Sequence, residues 1–293
     1  MHSFYLPPGK FDLLSVTGPD AGKLLQGQLT CDVASIPDPG FVRGALCNNK
    51  GRVIASFILV RQGAAYYVAL NRGLGNVFAL TLKKFLPFYK CEMRDIFSDA
   101  CFGVCGDAVL SSLALAGAAP PHGECRALDD GWICNLDQTQ QQFLILSRQP
   151  VGPAPGTATG TLNDWLACGI RSGQFPFDVD DVEKYTPQEL HLDRHGYVSF
   201  TKGCYTGQEI VARLHYRGKL KKLLYMLETS ATDGSDGTTD FLDSSGELLG
   251  TSIKTLRYDG GLIAFAHLSP EIETSLVRPV KNRAGLQFEL RVF

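Results

Sequence analysis

The chain has 293 residues, of which 44% are hydrophobic and 20% are charged, and its formal net charge is −2. This is the composition of a globular protein with more than one domain, and it argues against a general nucleic-acid-binding protein, which carries a basic excess. Nine cysteines without a C-x-x-C pair, a start unlike a signal peptide and the lack of a long apolar run predict a cytoplasmic protein with reduced thiols and no membrane association.

Strand and helix patterns alternate in the first part of the chain. Residues 12–30 predict a strand, a turn and a helix, because Pro19 and Asp20 suit the first positions of a helix. Residues 41–60 are typical of a hairpin, since two apolar stretches flank a polar turn at residues 48–51.

The pattern continues with a further strand at residues 64–70 and an amphipathic helix at residues 74–86, which Pro87 ends. Shorter strands and one helix are expected before the stretch 149–161. This stretch is rich in Pro, Gly, Ala and Thr, which is typical of a linker. A helix is expected near residues 162–170.

The last part of the chain has no helical period. From residue 219 onward short apolar strands alternate with turns, which predicts a small β-barrel or sandwich of ~75 residues.

Two histidines, His191 and His195, have the spacing of metal ligands on one face of a helix. Gly196 would end such a helix immediately, and no further ligand set completes a site. We therefore predict two surface histidines and no metal site.

One cysteine stands in a distinctive local setting. Thr206 and Glu209 match the capping box S/T-x-x-E, which predicts a helix with Thr206 as its N-cap. Cys204 lies two residues earlier, near the positive end of the helix dipole. Lys202 adds positive charge and Gly203 lets the backbone approach a ligand closely. The positive end of the helix dipole and the Lys202 ammonium group both favour the thiolate, so Cys204 is a candidate reactive thiol. The alternative is a structural cysteine.

A basic stretch follows this motif. It could bind a phosphate, a polyglutamyl tail or RNA, and the alternative is a solvated helix end followed by an edge strand. Its members are Arg213, His215, Arg217, Lys219, Lys221 and Lys222.

Residues 202–213, K-G-C-Y-T-G-Q-E-I-V-A-R, resemble the signature of the YgfZ folate-binding proteins, which assist iron–sulfur enzymes. Three other stretches agree with the same family, namely residues 16–33, 45–57 and 186–200. The resemblance extends from about residue 11 to about residue 225 and, more weakly, over the tail.

The resemblance implies a fold as well as a function. The family is similar to the glycine-cleavage T-protein, a tetrahydrofolate-dependent aminomethyltransferase, which implies an α+β fold: a ring of two interlocked α+β modules and a C-terminal β-barrel. The expected division is a folate-binding region at residues 1–215, with its linker near 149–161, and a barrel at residues 216–293. Folate would lie in a central channel that the motif cysteine faces.

The resemblance also implies a set of site residues. Trp165 and Phe11 correspond to aromatic residues of the folate site, where a flat ring can stack on a pterin. Cys204 is the candidate catalytic thiol. The candidate cofactor-binding residues are Phe11, Trp165, Lys202, Gly203, Cys204, Tyr205, Gly207, Gln208, Glu209 and Arg213.

The sequence departs from the T-protein pattern at two places. Ala55 and Ser56 stand where the T-protein has an acidic pair, and neither can do the electrostatic work of a carboxylate. Arg171 stands where the T-protein has the glutamate that holds the pterin ring.

These observations predict a protein that binds tetrahydrofolate or a derivative and assists iron–sulfur cluster assembly or repair, with an indirect effect on tRNA modification. Its expected partners are folate and, transiently, iron–sulfur enzymes or assembly proteins, without general nucleic-acid binding. The alternatives are a folate-dependent one-carbon transferase that uses Cys204 as nucleophile and an RNA-binding module that uses the basic stretch.

Overall fold

The computed structural model describes residues 3–96, 100–113, 115, 117–137, 141–148, 151–218, 220–230, 239–243, 245–258, 260–269 and 280–293. The chain divides into two compact units. The larger unit contains His2–Gln188 and Leu192–His215, and the smaller contains Glu189–His191 and Tyr216–Phe293. No helix within the described ranges has both the length and the apolar character that a bilayer crossing requires.

The larger unit is built from two antiparallel sheets and their covering helices. Its elements, with the helix that leads out of it, are β1 (Phe4–Leu6), β2 (Phe11–Thr17), α1 (Ala21–Gln28), β3 (Gly40–Cys47), β4 (Val53–Gln62), β5 (Ala65–Asn71), α2 (Leu74–Lys83), β6 (Glu92–Ile96), β7 (Cys101–Cys105), α3 (Asp107–Ser112), β8 (Cys125–Leu128), β9 (Gly131–Asp137), β10 (Gln142–Ser147), α4 (Leu162–Ile170) and α5 (Gln208–Arg217).

The two sheets are interlocked through the first strand of the chain. One sheet has the order β3-β4-β5-β2-β6, and the other has the order β1-β7-β10-β9-β8. β1 precedes β2 in sequence but pairs with β7, where Tyr5 faces Val104. The predicted interlocked α+β modules are therefore confirmed.

Most elements predicted for the first module are confirmed. The predicted hairpin is the β3–β4 pair, in which Phe41 faces Val60. The predicted helix at 74–86 ends earlier, at Lys83. The amides of Phe85 and Phe88 bond to carbonyls three residues back at 2.9 and 3.0 Å, so the chain tightens into a short 3₁₀ turn around the proline.

A continuous apolar core joins the two sheets. It contains Phe11 and Leu13 from β2 and Trp132 from β9, together with Trp165 from α4. Five cysteines, Cys101, Cys105, Cys125, Cys134 and Cys168, are buried in this core as free thiols. Their burial agrees with the role of cysteine as a small hydrophobic residue.

The predicted linker lies beside β1 where the structure describes it. Residues 149 and 150 are outside the described ranges. The Tyr5 amide donates to the Ala158 carbonyl at 2.9 Å, and the Gly160 amide donates to the Tyr5 carbonyl at 3.0 Å. This part of the linker therefore extends the edge of the sheet next to β1.

The smaller unit contains a closed β-barrel, which confirms the predicted barrel. Its strands are connected in the order β11-β14-β13-β12-β15-β16. The strands are β11 (Leu223–Thr229), β12 (Asp240–Leu242), β13 (Leu248–Tyr258), β14 (Gly261–Leu268), β15 (Val280–Asn282) and β16 (Gln287–Val292). Alternate residues of β14, from Leu262 to Leu268, fill the barrel core with Tyr225 and Phe241, as the two-residue period of a strand requires.

The predicted surface position of His191 is wrong. His191 is fully buried in the smaller unit, and its φ of 52° excludes the helix that metal-ligand spacing requires. Its Nδ1 lies 2.5 Å from the backbone oxygen of Phe293, and its Nε2 accepts the Leu224 amide at 3.3 Å. One nitrogen donates and the other accepts, so the ring is a neutral imidazole that joins two backbone segments.

Candidate functional site

A cleft in the larger unit brings together three residues that the sequence analysis singled out. Phe11, Ser56 and Trp165 all line it, although they belong to β2, β4 and α4. The other lining residues are Phe57, Ile58, Ala69, Leu70, Asn71, Leu144, Leu166, Gln174, Phe175 and Tyr197.

The two aromatic rings of the cleft form an edge-to-face pair. The ring centroids of Phe11 and Trp165 are 5.5 Å apart, with an interplanar angle of 73°, and both side chains are buried. The cavity between the lining residues measures about 50 Å³, the space of a few water molecules. A bicyclic ring therefore enters this cleft only if side chains at its mouth move apart.

The position of Trp165 follows from the start of α4. Thr161 and Asp164 form a capping box, in which the Asp164 carboxylate accepts the Thr161 amide at 2.8 Å and the Thr161 hydroxyl accepts the Asp164 amide at 3.2 Å. Gly103 on β7 leaves room for the indole, because a Cβ at that position would lie 2.6 Å from a ring carbon. The helix start and the glycine together place the indole against the sheet.

The departures from the T-protein pattern fall in and around the same cleft. Ala55 is fully buried, whereas Ser56 lines the cavity with a neutral hydroxyl. Arg171 is exposed at the end of α4 and is not among the lining residues, whereas Gln174 is. Gln174 and Tyr197 were missed by the sequence analysis: Gln174 stands in no recognisable motif, and Tyr197 lies in the family-like stretch 186–200 but was assigned no role there.

Cys204 is exposed, and it is the most accessible of the nine free cysteines: Cys91 is half-buried and the other seven are buried. Its neighbour Gly203 is also exposed, whereas Tyr205 is buried. Burial raises the pKa of the Tyr205 phenol, so this side chain holds the loop as a neutral group. The exposed Cys204 thiol is thus carried on a loop that the buried side chain of its neighbour Tyr205 holds in place.

The Lys202 side chain anchors this loop through hydrogen bonds to a neighbouring segment. Its ammonium group donates to the backbone carbonyls of Gln26, Leu29 and Cys31 at 2.7, 2.6 and 2.8 Å. Burial lowers the pKa of Lys202 to about 8, so at neutral pH the amine still carries three protons, one for each carbonyl. Lys202 thus anchors the loop to the end of α1 and the residues after it, and its donors are used there rather than on the Cys204 thiol.

The predicted capping box at Thr206 is wrong. The first bond of α5 runs from the Val211 amide to the Gly207 carbonyl at 3.3 Å, which makes Gly207 the N-cap residue. The Thr206 hydroxyl donates instead to Gln28 Oε1 at 2.8 Å, and this tertiary bond replaces the local one.

Gly207 has a structural reason to be glycine. Its φ is 85°, and a Cβ would lie 2.4 Å from the backbone oxygen of Asn48 in the β3–β4 turn. Gly51 in the same turn has a φ of 70° and packs against Ile210 of α5. The loop before α5 and the β3–β4 turn therefore approach each other closely, as glycines on both sides permit.

The remaining predicted site residues lie on or beside α5. Gln208 is half-buried, whereas Glu209 and Arg213 are exposed. The residues from Lys202 to Arg213 are not among those that line the Phe11–Trp165 cleft. The structure thus brings the predicted aromatic residues together in one cleft, and the motif residues are not among those that line it.

The basic stretch is exposed where the structure describes it. Arg213 and Arg217 are exposed on α5 and His215 stacks on Phe200, with the ring centroids 3.6 Å apart. His215 Nδ1 also lies 3.9 Å from an Asp193 carboxylate oxygen. Lys219 lies outside the described residues.

The fold is that of the glycine-cleavage T-protein. The glycine cleavage system aminomethyltransferase T of Bartonella henselae superposes with a TM-score of 0.70 over 99% of this chain and 85% of that chain, at 15% sequence identity. No protein-family model matches the sequence.

The sequence relatives identify the family within this fold. The tRNA-modifying protein YgfZ of Edwardsiella ictaluri is 30% identical over 94% of this chain and 88% of its own length. The protein of the same name from Pectobacterium atrosepticum is 31% identical over 75% of this chain and 68% of its own length. The chain belongs to the YgfZ family.

Proposed function

We propose that this protein binds tetrahydrofolate or a derivative and acts in the cytoplasm as an accessory protein of iron–sulfur cluster assembly or repair. Its effect on tRNA modification is indirect, through the iron–sulfur enzymes that modify tRNA. The fold of a T-protein and relatives named tRNA-modifying proteins support this function. The observation that carries the folate assignment is the cleft in which Phe11, Ser56 and Trp165 meet.

The second part of the proposal concerns the thiol. Cys204 is exposed on a loop that Lys202 and Gly207 hold in place, so it is accessible to a partner protein or a small thiol. A thiolate is a soft metal ligand and a good nucleophile. We assign to it a transient contact with iron–sulfur enzymes or assembly proteins.

Folate binding should be visible in the tryptophan fluorescence of the purified protein. The chain has two tryptophans, and Trp165 lines the cleft whereas Trp132 does not. We expect 5-formyltetrahydrofolate to quench the fluorescence. Trp165→Phe should remove most of the quenching, because the indole fluorophore is lost, and should weaken binding about tenfold, because the smaller ring offers less stacking area and no N–H. Phenylalanine is preferred to alanine, since truncation of a buried tryptophan costs about 3–5 kcal/mol of stability.

Trp132→Phe is the matched control, because Trp132 is buried in the same core. It should keep both the quenching and the affinity. Equal losses in the two variants, or no folate binding by calorimetry in the parent protein, would remove the folate site from this cleft.

The one-carbon transferase remains the alternative function, since the T-protein fold and an accessible thiol favour it. Ala55 and Ser56 supply no carboxylate at the position of the acidic pair. We therefore expect no release of ammonia from an aminomethyl-lipoyl carrier in the presence of tetrahydrofolate. Turnover above the uncatalysed rate, measured by ammonia production, would favour the transferase over the accessory protein.

A further inference from the structure

Gln174 is a polar side chain that lines the cleft and whose orientation its hydrogen bonds determine. It lines the cavity together with Phe11 and Trp165. Its amide nitrogen donates to Gln142 Oε1 at 3.1 Å and to the Ser172 hydroxyl oxygen at 3.3 Å. These two bonds use both of its N–H groups.

The orientation of this amide is determined by two backbone carbonyls. The Gln142 amide nitrogen donates to the Trp165 carbonyl at 3.0 Å, and a carbonyl can only accept. The oxygen of Gln142 must therefore face Gln174 as an acceptor. The Ser172 hydroxyl donates to the Gly169 carbonyl at 2.9 Å, so its oxygen is likewise left as an acceptor.

Both neighbours of Gln174 therefore require its N–H groups as donors. If the amide were reversed, its oxygen would face two acceptors and form no hydrogen bond with either. Within the described residues, Gln174 Oε1 accepts no hydrogen bond. It lies beside Gly169, where a Cβ would be 3.0 Å away. Gln174 therefore adds a neutral amide oxygen, with its orientation fixed and no protein donor among the described residues, to the residues that line the cleft with Phe11 and Trp165.

We infer that Gln174 is a specificity-determining residue of the cleft, and that Oε1 accepts a hydrogen bond from an N–H group of a bound ring. The inference rests on the proposed folate function, because the amino–amide edge of a pterin presents such N–H donors. An amide oxygen carries no net charge, so it suits a neutral donor edge and not a cation. A ring without N–H donors on that edge would leave the acceptor unpaired.

The test is a set of calorimetric binding measurements with 5-formyltetrahydrofolate. Gln174→Leu removes the acceptor and should weaken binding about tenfold. Gln174→Glu keeps an oxygen but loses the N–H groups that Gln142 and Ser172 require, so the oriented acceptor is lost and binding should weaken in this variant as well. Gln62→Leu is the control, because the Gln62 side chain bonds to the Gly131 carbonyl at 3.1 Å outside the cleft. It should bind like the parent protein.

Two folate analogues, one without the 2-amino group and one methylated at N3, allow a double-mutant-type cycle in which protein variant and ligand are both changed. In the parent protein at least one analogue should bind about tenfold more weakly, whereas Gln174→Leu should discriminate against that analogue much less. Equal affinity in the parent and in Gln174→Leu, or equal discrimination by both, would overturn the role of Gln174 while leaving the folate function intact. A parent protein that binds no folate would remove the proposed function and this assignment together.

Discussion

The Lys202→Met variant will unfold at a clearly lower temperature than the parent protein. Methionine has a similar length but no donor, so three backbone carbonyls lose the ammonium group that lies 2.6–2.8 Å from them. A buried acceptor left without a partner costs about 1–3 kcal/mol. We therefore expect the free energy of unfolding of the larger unit to fall by about 3 kcal/mol.

Thermal and urea unfolding, followed by circular dichroism, measure this effect. Lys50→Met is the matched control, because the Lys50 side chain is exposed and a surface substitution changes stability by about 0.5 kcal/mol or less. Lys202→Arg adds a second comparison, since its larger planar head does not match three converging carbonyls. If Lys202→Met unfolds at the same temperature and urea concentration as the parent protein, the ammonium group does not hold the Cys204 loop.

Periodic patterns predicted the elements of the larger unit well. The helix expected near 162–170 is α4, Leu162–Ile170, and the strand expected at 64–70 is β5, Ala65–Asn71. These elements follow local rules, because an apolar period and its flanking glycines, prolines and caps lie within a few residues of each other.

The errors arose where a tertiary contact replaced a local one. Thr206 carries the sequence signal of a helix cap, but its hydroxyl bonds to Gln28 at a sequence separation of 178 residues. Lys202 stands two positions from Cys204, yet its side chain is directed to carbonyls near residue 29. His191 is buried for the same reason, since its partners come from the barrel strands and the end of the chain.

The cleft could be predicted only in part. The resemblance to a family pointed to Phe11 and Trp165, which the structure brings to 5.5 Å. Gln174 belongs to no motif, and its role depends on which way its amide is turned. That orientation follows from bonds to Gln142 and Ser172, and a linear sequence contains no record of such a network.

Serine in place of Cys204 should preserve the fold and abolish the cellular function. The substitution changes one exposed atom, so the unfolding temperature should stay within the range of a surface variant. Serine, however, is neither a soft metal ligand nor a comparable nucleophile at neutral pH. In a bacterial strain that lacks its own YgfZ protein, the parent chain should restore an iron–sulfur enzyme activity and one thiolated tRNA base, and Cys204→Ser should restore neither.

The control for this experiment follows from the burial of the cysteines. Serine at Cys101 or Cys105 would place a hydroxyl group in the apolar core and could fail by unfolding. Cys91→Ser is the matched variant, because Cys91 is only half-buried, and it should rescue fully. One thiolate cannot hold a cluster, which takes about four ligands, so the isolated protein should be colourless. Full rescue by Cys204→Ser would show that the motif serves the loop geometry set by Lys202 and Gly207, and that the thiol has no part in the function.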